Sequence, residues 1–201
     1  TRRFRKALGA YLKLSTMARR SKITRMDKWD VPASRPRLKG GNIPLCDLTA
    51  RPAIHQLGSL VYFSQFKRTK RGTPFSEIKQ SADIAALFAD SAANFIERLV
   101  NNTEDWCIIT TPRRRNAVGF HFATAVCERI SATLGIPFYA DAVQCINRNR
   151  LDPDFHLLRP IAERRVIVYD DIITTGSTLT ATASLLDDRD FVLNIIGINN
   201  R

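Results

Sequence analysis

The chain has no apolar run approaching the roughly 20 residues that span a bilayer, and no apolar segment of the kind that marks a secretory signal. A membrane-inserted protein is therefore not expected. Cysteine is scarce: Cys46, Cys107, Cys127 and Cys145 are the whole set, and none lies in a CxxC pair. Neither a disulfide framework nor a zinc site is expected, and the four read as reduced thiols of a cytoplasmic protein. His55, His121 and His156 are too far apart to make a metal-ligand spacing. No GxxxxGK is present, so a Walker A loop is excluded. No Ser–His–Asp or Cys–His arrangement can be argued from spacing. There is no internal repeat.

Acidic residues are also nearly missing from the first 40 positions, which hold 13 Lys/Arg against 2 Asp/Glu. The remaining residues carry 18 against 17, so almost all of the formal net charge of +12 belongs to an N-terminal arm. A basic block of this kind implies an acidic partner: nucleic acid, an acidic protein surface or a membrane face. With 201 residues the chain is long enough for one α/β domain and an appendage.

What is present alternates between two periods. Phe4, Leu8, Tyr11, Leu12 and Met17 are spaced for an amphipathic helix with a basic outer face. Residues 21–51 are rich in Pro, Gly and Arg and read as a linker or wrapping loop. "SLVYFSQF" predicts a strand, followed by the basic turn "KRTKRGTP". "SADIAALFADSAANFIERLV" predicts a helix capped by Ser81 or Asp83, with Ile84, Leu87, Phe88, Phe95, Ile96 and Leu99 on one face. "WCIIT" predicts a short buried strand, and "FHFATAVCERISATLG" a helix closed by Gly135, with His121 packed or solvated rather than catalytic. "IPFYADAVQC" is strand-like, and "INRNRLDPDFHLLRPIAE" reads as an irregular loop. "RRVIVYD" predicts a strand, "STLTATASLLDD" a helix and "FVLNIIGI" a final strand. The alternation predicts an α/β fold: a mostly parallel sheet of about five strands flanked by helices, with a basic N-terminal helical extension. The expected division is residues 1–52, arm and hood or linker, and residues 53–201, the α/β domain.

The segment "VIVYDDIITTGSTL", Val166–Leu179, carries the chemistry. A buried strand runs into two adjacent carboxylates and then into a turn of hydroxyls and one glycine. In open parallel sheets ligands bind at the carboxyl ends of strands. Unpaired N–H groups at the start of the next helix suit a phosphate monoester, and Gly176 lets backbone approach it. Thr174, Thr175, Ser177 and Thr178 add hydroxyl donors, with Ser177 the expected N-cap. Asp170 and Asp171 would repel a phosphate, so they are expected to face ligand hydroxyls or a divalent cation. A sugar phosphate offers both ends.

This string resembles the phosphoribosyl pyrophosphate (PRPP) signature of the type I phosphoribosyltransferases. With "YFSQFKRTKRGTPFSEIKQSADIAALFA" and "IITTPRRRNAVGFHFATAVCERISATLGIPF" in the same order, residues 58–198 resemble the competence-protein-F-like amidophosphoribosyltransferase branch. The chain departs from that branch in three respects. It lacks a Cys-rich zinc-binding start, it has a basic arm instead, and its loop before the signature is short. The resemblance implies that Asp170 and Asp171 face the ribose hydroxyls and Mg²⁺, and that Thr174, Thr175, Gly176, Ser177 and Thr178 hold the 5′-phosphate. It places the pyrophosphate loop at Thr110, Thr111, Arg113, Arg114 and Arg115; three consecutive arginines are also what a solvated turn looks like. Residues 147–159 fall at the family's flap, with Arg148 or Arg150 as charge donors; a plain surface loop is the other reading of that stretch.

The function the resemblance implies is a Mg-dependent transferase of the pentosyl class in nucleotide metabolism. A base or amine acceptor, not identified by the sequence, displaces pyrophosphate from ribose C1, and a homodimer is usual for the fold. The alternative is a PRPP- or nucleotide-sensing module. A third reading is a nucleic-acid-associated effector of a bacterial antiviral defence or retron-type system. In both, residues 1–40 dock nucleic acid or a nucleoprotein.

Overall fold

The computed structural model describes residues 44–112, 120–146 and 154–201. The basic arm, Arg113–Arg115, Arg148 and Arg150 lie outside the described residues. Ten strands are described: β1 (Leu45–Asp47), β2 (Ala53–Leu57), β3 (Leu60–Thr69), β4 (Thr73–Pro74), β5 (Trp106–Thr110), β6 (Phe138–Tyr139), β7 (Val143–Cys145), β8 (Phe155–Leu157), β9 (Arg165–Ile173) and β10 (Phe191–Asn199). The described helices are α1 (Phe75–Ile78), α2 (Ala82–Leu99), α3 (Phe122–Leu134) and α4 (Ser177–Ser184).

The main sheet runs β4-β1-β3-β10-β9-β5-β6, with β2 also paired to β3. β3, β10, β9, β5 and β6 are mutually parallel, while β1, β2 and β4 join antiparallel. The sheet is therefore mixed, which corrects the expected mostly parallel one. The reason is physical. β1 and β4 span three and two residues, too short to show alternation, and β1 lies in the Pro- and Arg-rich stretch read as a linker. β2 pairs with Leu60–Ser64 and β1 with Lys67–Thr69, so the two share one edge of β3. The division expected at residues 52/53 falls between them. A second correction concerns the loop after Ile146: it contains β8, which pairs antiparallel with β7 to form a separate small sheet.

Helices cover both faces. On one side α2 and α3 pack against Ile108, Ile167 and Tyr169. On the other, α4, β7 and β8 contribute to a cluster around Ile109, Val166 and Val168. Burial on both faces explains why β9 and β10 read as continuous apolar runs. Ser81 is the N-cap of α2, its hydroxyl accepting from Ile84 N at 3.2 Å. The buried face of α2 differs from the expected one in one place: Leu87 is 45% exposed, while Ala85, Ala89 and Ala92 are buried. Small side chains allow close contact with α3. Trp106 is buried against Phe191 as an anchor.

The pleat of the three central strands shifts along one row. In β10, Ile195 packs into the α2/α3 core, Ile196 into the opposite core, and Ile198 into the first again. In β3, Phe63 and Phe66 both face the α2/α3 core. In β9, Tyr169 belongs to that core, Ile172 packs against it and Ile173 faces the other side. The paired register skips Gly197 against both neighbours. A strict two-residue alternation cannot produce this pattern. The break falls at Gln65, Gly197 and Asp171, and Gly197 is required there. A Cβ on it would lie 2.7 Å from the Asp171 carbonyl oxygen and 3.0 Å from the Tyr169 hydroxyl.

Candidate functional site at the carboxyl edge

The site begins where β5 stops. β5 pairs with β9 as far as Tyr169, and the last contact on that side is Thr111 N donating to Tyr169 O at 3.2 Å. β9 continues to Ile173 because β10 goes on pairing with it. Asp170 lies within β9, as the reading of "RRVIVYD" expects, but the strand runs on through Asp171 to Ile173, so its end falls two residues past the acid pair. Among the described residues this part of β9 pairs on one side only, with β10, which makes the sheet edge stepped.

Each carboxylate has a partner. The Thr111 hydroxyl donates to Asp170 Oδ1 at 2.9 Å. Lys79 Nζ lies 2.5 Å from Asp171 Oδ2. Both acids are partly buried. Burial, reinforced by the neighbouring Asp171 carboxylate, pushes the Asp170 carboxyl up to about 7; the Thr111 hydroxyl and Lys79 pull the other way. Adjacent like charges in a partly desolvated place are the opposite of what a solvated strand end would show.

The turn after β9 is short. Thr174 and Thr175 are exposed and Gly176 is buried, and all three lie outside the helix. Ser177 and Thr178 are its first two residues. The N-cap is Gly176, with φ of +87°, rather than the expected Ser177. Its left-handed backbone is one that a side chain disfavours, and a Cβ there would collide with the Leu57 side chain of β2. The Leu57 side chain of β2 thus lies close against this turn. Thr175 and Ser177 share a hydroxyl contact of 3.0 Å, and Arg201 donates to Thr175 O at 3.1 Å.

The structure thus brings together Asp170, Asp171, Thr111 and the turn Thr174–Thr178 on consecutive segments of one sheet edge. Thr110 is buried at the end of β5. Arg113, Arg114, Arg115 and Arg148 lie outside the described residues. Lys79 was not singled out from the sequence. It lies on a segment distant from Asp171, and no spacing or motif links them. His121 is the N-cap of α3, its ring contacting Thr124, and His55 contacts Ser64 at 2.8 Å. Burial raises the thiols of Cys46 and Cys107 to about 12, so both are inert packing groups. A depression lined by Pro52, Ser91, Asn94, Phe95 and Arg98 shares no residue with the carboxyl edge. No described helix is long and apolar enough to cross a membrane.

No family model matches the chain, and no curated protein matches it. Among solved structures the chain is similar to a hypoxanthine phosphoribosyltransferase from Staphylococcus aureus, at 13% identity and a TM-score of 0.39. The likeness covers 59% of this chain and 65% of that one, and is too loose to speak to activity.

Proposed function

We propose that the chain is a phosphoribosyltransferase that binds PRPP across the stepped carboxyl edge and transfers its ribose 5-phosphate to a base or amine acceptor. The observation carrying this reading is the adjacency of two unlike sites. The turn Thr174–Gly176 leads with exposed hydroxyls into the first turn of α4, and the paired acids Asp170 and Asp171 immediately precede it. A helix start favours an anion, whereas two carboxylates favour hydroxyl donors or a cation. A ribose carrying a 5′-phosphate satisfies both at once.

Among the described residues no group of three or more His, Cys, Asp or Glu forms a metal cage. Mg²⁺ fits this donor set in a particular way: Asp170 or Asp171 would hold it together with ligand oxygens and water, as that ion is commonly held. It would supply positive charge for the departing diphosphate. The acceptor's lone pair forms the new bond to C1, and the C1–oxygen bond breaks with its electrons leaving on pyrophosphate. The acceptor's proton passes to water or to a base. The ribose carries positive charge at the midpoint, as in glycoside hydrolysis. Little proton chemistry is asked of the chain, so its contribution is positioning and charge. Under this reading Arg113–Arg115 and Arg148 remain the proposed cations around the pyrophosphate.

Titration calorimetry with PRPP and Mg²⁺ tests the reading. The wild-type chain is expected to bind, and Asp171→Asn to bind at least about tenfold more weakly, a loss of about 1.4 kcal/mol. A wild-type chain that gives no heat with PRPP and Mg²⁺ ends the proposal.

A further inference from the structure

We infer that Lys79 is a ligand-binding residue held in reserve. In the ligand-free chain its ammonium closes on Asp171, and it passes to the diphosphate oxygens when ribose hydroxyls take that carboxylate. The inference rests on the ribose-phosphate reading above and adds a residue to it.

Three observations carry it. First, the contact is direct: Lys79 Nζ is 2.5 Å from Asp171 Oδ2, and it is the cation that acts on Asp170 as well. The ammonium therefore occupies the carboxylate that the ribose would need. Second, Lys79 has a fixed root and a free head. Its N–H donates to Phe75 O at 3.1 Å, the preceding Ile78 is 1% exposed in the core, and Ser81 caps α2 two residues later. The side chain itself is 45% exposed. A four-carbon stem rooted in that way can turn its ammonium without moving backbone. Third, the two ends of the pair differ: the lysine side chain is 45% exposed and that of Asp171 21%. Screening and side-chain ordering at the open lysine end offset part of the attraction.

The electrostatics give the transfer a direction. A polyanion approaching two carboxylates is repelled unless a cation stands between them. Before binding, Lys79 offsets the acids. After binding, the hydroxyls donate to Asp171 and the diphosphate carries the denser negative charge, so the ammonium is drawn to it.

The test compares Lys79→Met and Lys79→Arg with wild type. The probes are PRPP, inorganic pyrophosphate and ribose 5-phosphate, each with Mg²⁺, read by titration calorimetry. Thermal melting is followed in parallel. Lys79→Met is expected to melt near wild type. It should bind PRPP and pyrophosphate about tenfold or more weakly, while its ribose 5-phosphate affinity stays level or tightens. Lys79→Arg should recover most of the loss. Unchanged affinity of Lys79→Met for PRPP, or an equal loss for all three probes, makes Lys79 a structural bridge and overturns the inference while leaving the parent reading intact. A wild-type chain that binds none of the probes overturns both.

Discussion

Asp170 is the residue at which the fold and the proposed ligand pull in opposite directions. Its ordinary value of 3.8 rises to about 7, with burial the largest cause and Asp171 the next. A carboxyl with a raised folded value binds its proton more tightly in the folded chain than in the unfolded one. Its contribution to stability is therefore complete below about pH 4 and is lost as the pH climbs through about 7. Replacing it by a neutral amide removes that loss and keeps an acceptor for the Thr111 hydroxyl. In the absence of divalent cations, Asp170→Asn is expected to exceed wild type at pH 8 by about 1–2 kcal/mol, a figure reduced for partial exposure. That corresponds to a melting point higher by roughly 2–8 °C. At pH 5, where only the first part of that rise has been crossed, the gap should be less than half as large. Melting curves at both values decide it, and a gap of the same size at pH 5 would refute an origin in the ionisation of this carboxyl. At this scale much was legible. The acids and the hydroxyl turn stand in one continuous string, and local sequence fixes local order. Lys79 and the Thr111 contact were not, because they depend on which segments the sheet brings side by side. The N-cap falls one residue early because the turn takes a left-handed backbone at Gly176, φ +87°, which glycine adopts at no steric cost.

Among the elements, the row through Gln65, Gly197 and Asp171 links the core to the site. The Gln65 amide donates to Phe88 O at 2.7 Å and accepts from the Tyr169 hydroxyl at 3.1 Å. Gly197 lies beside that hydroxyl and beside the Asp171 carbonyl. Gly197→Ala adds a methyl where backbone, rather than a flexible side-chain tip, must yield. It is expected to cost about 2–3 kcal/mol, against about 1 kcal/mol for Ser81→Ala, which removes a helix cap. Urea unfolding measures both. Because the displaced atom belongs to Asp171, the alanine variant should also bind PRPP more weakly, whereas Ser81→Ala should not. Equal affinities for the two would detach the row from the site. The long elements were readable, since α2, α3, β3, β9 and β10 each carry a full period of apolar residues. The pleat shift was hidden for the same reason that made β9 and β10 obvious. A strand buried on both faces is apolar everywhere, so its sequence cannot show where alternation slips. The antiparallel strands β1, β4 and β8 were missed because two or three residues display no period.

For the whole molecule, the stepped edge sets where the fold is firm and where it can respond. Val166–Tyr169 of β9 pair with β5 on one side and β10 on the other, and both faces are covered. Among the described residues, Asp170–Ile173 pair with β10 alone. β1 and β2 shield one edge of β3 but are themselves short. Opening a strand with two neighbours requires breaking both ladders and exposing both cores, whereas the projecting segment can open by itself. Amide hydrogen exchange is therefore expected to fall in steps. Protection should be highest at Val166–Tyr169 and Leu193–Ile196, at least about tenfold lower at Asp170–Ile173, and lowest in β1, β7 and β8. PRPP with Mg²⁺ should slow exchange at Asp170–Ile173 and at the Thr174–Thr178 turn, leaving the doubly paired segments unchanged, because those already open only with the whole domain. Ligand-induced protection spread evenly over β9 would mean that the strand responds as one unit and that the step has no mechanical role. Protection confined to the projecting segment would place the ligand on the part of the sheet that lies beyond the end of β5.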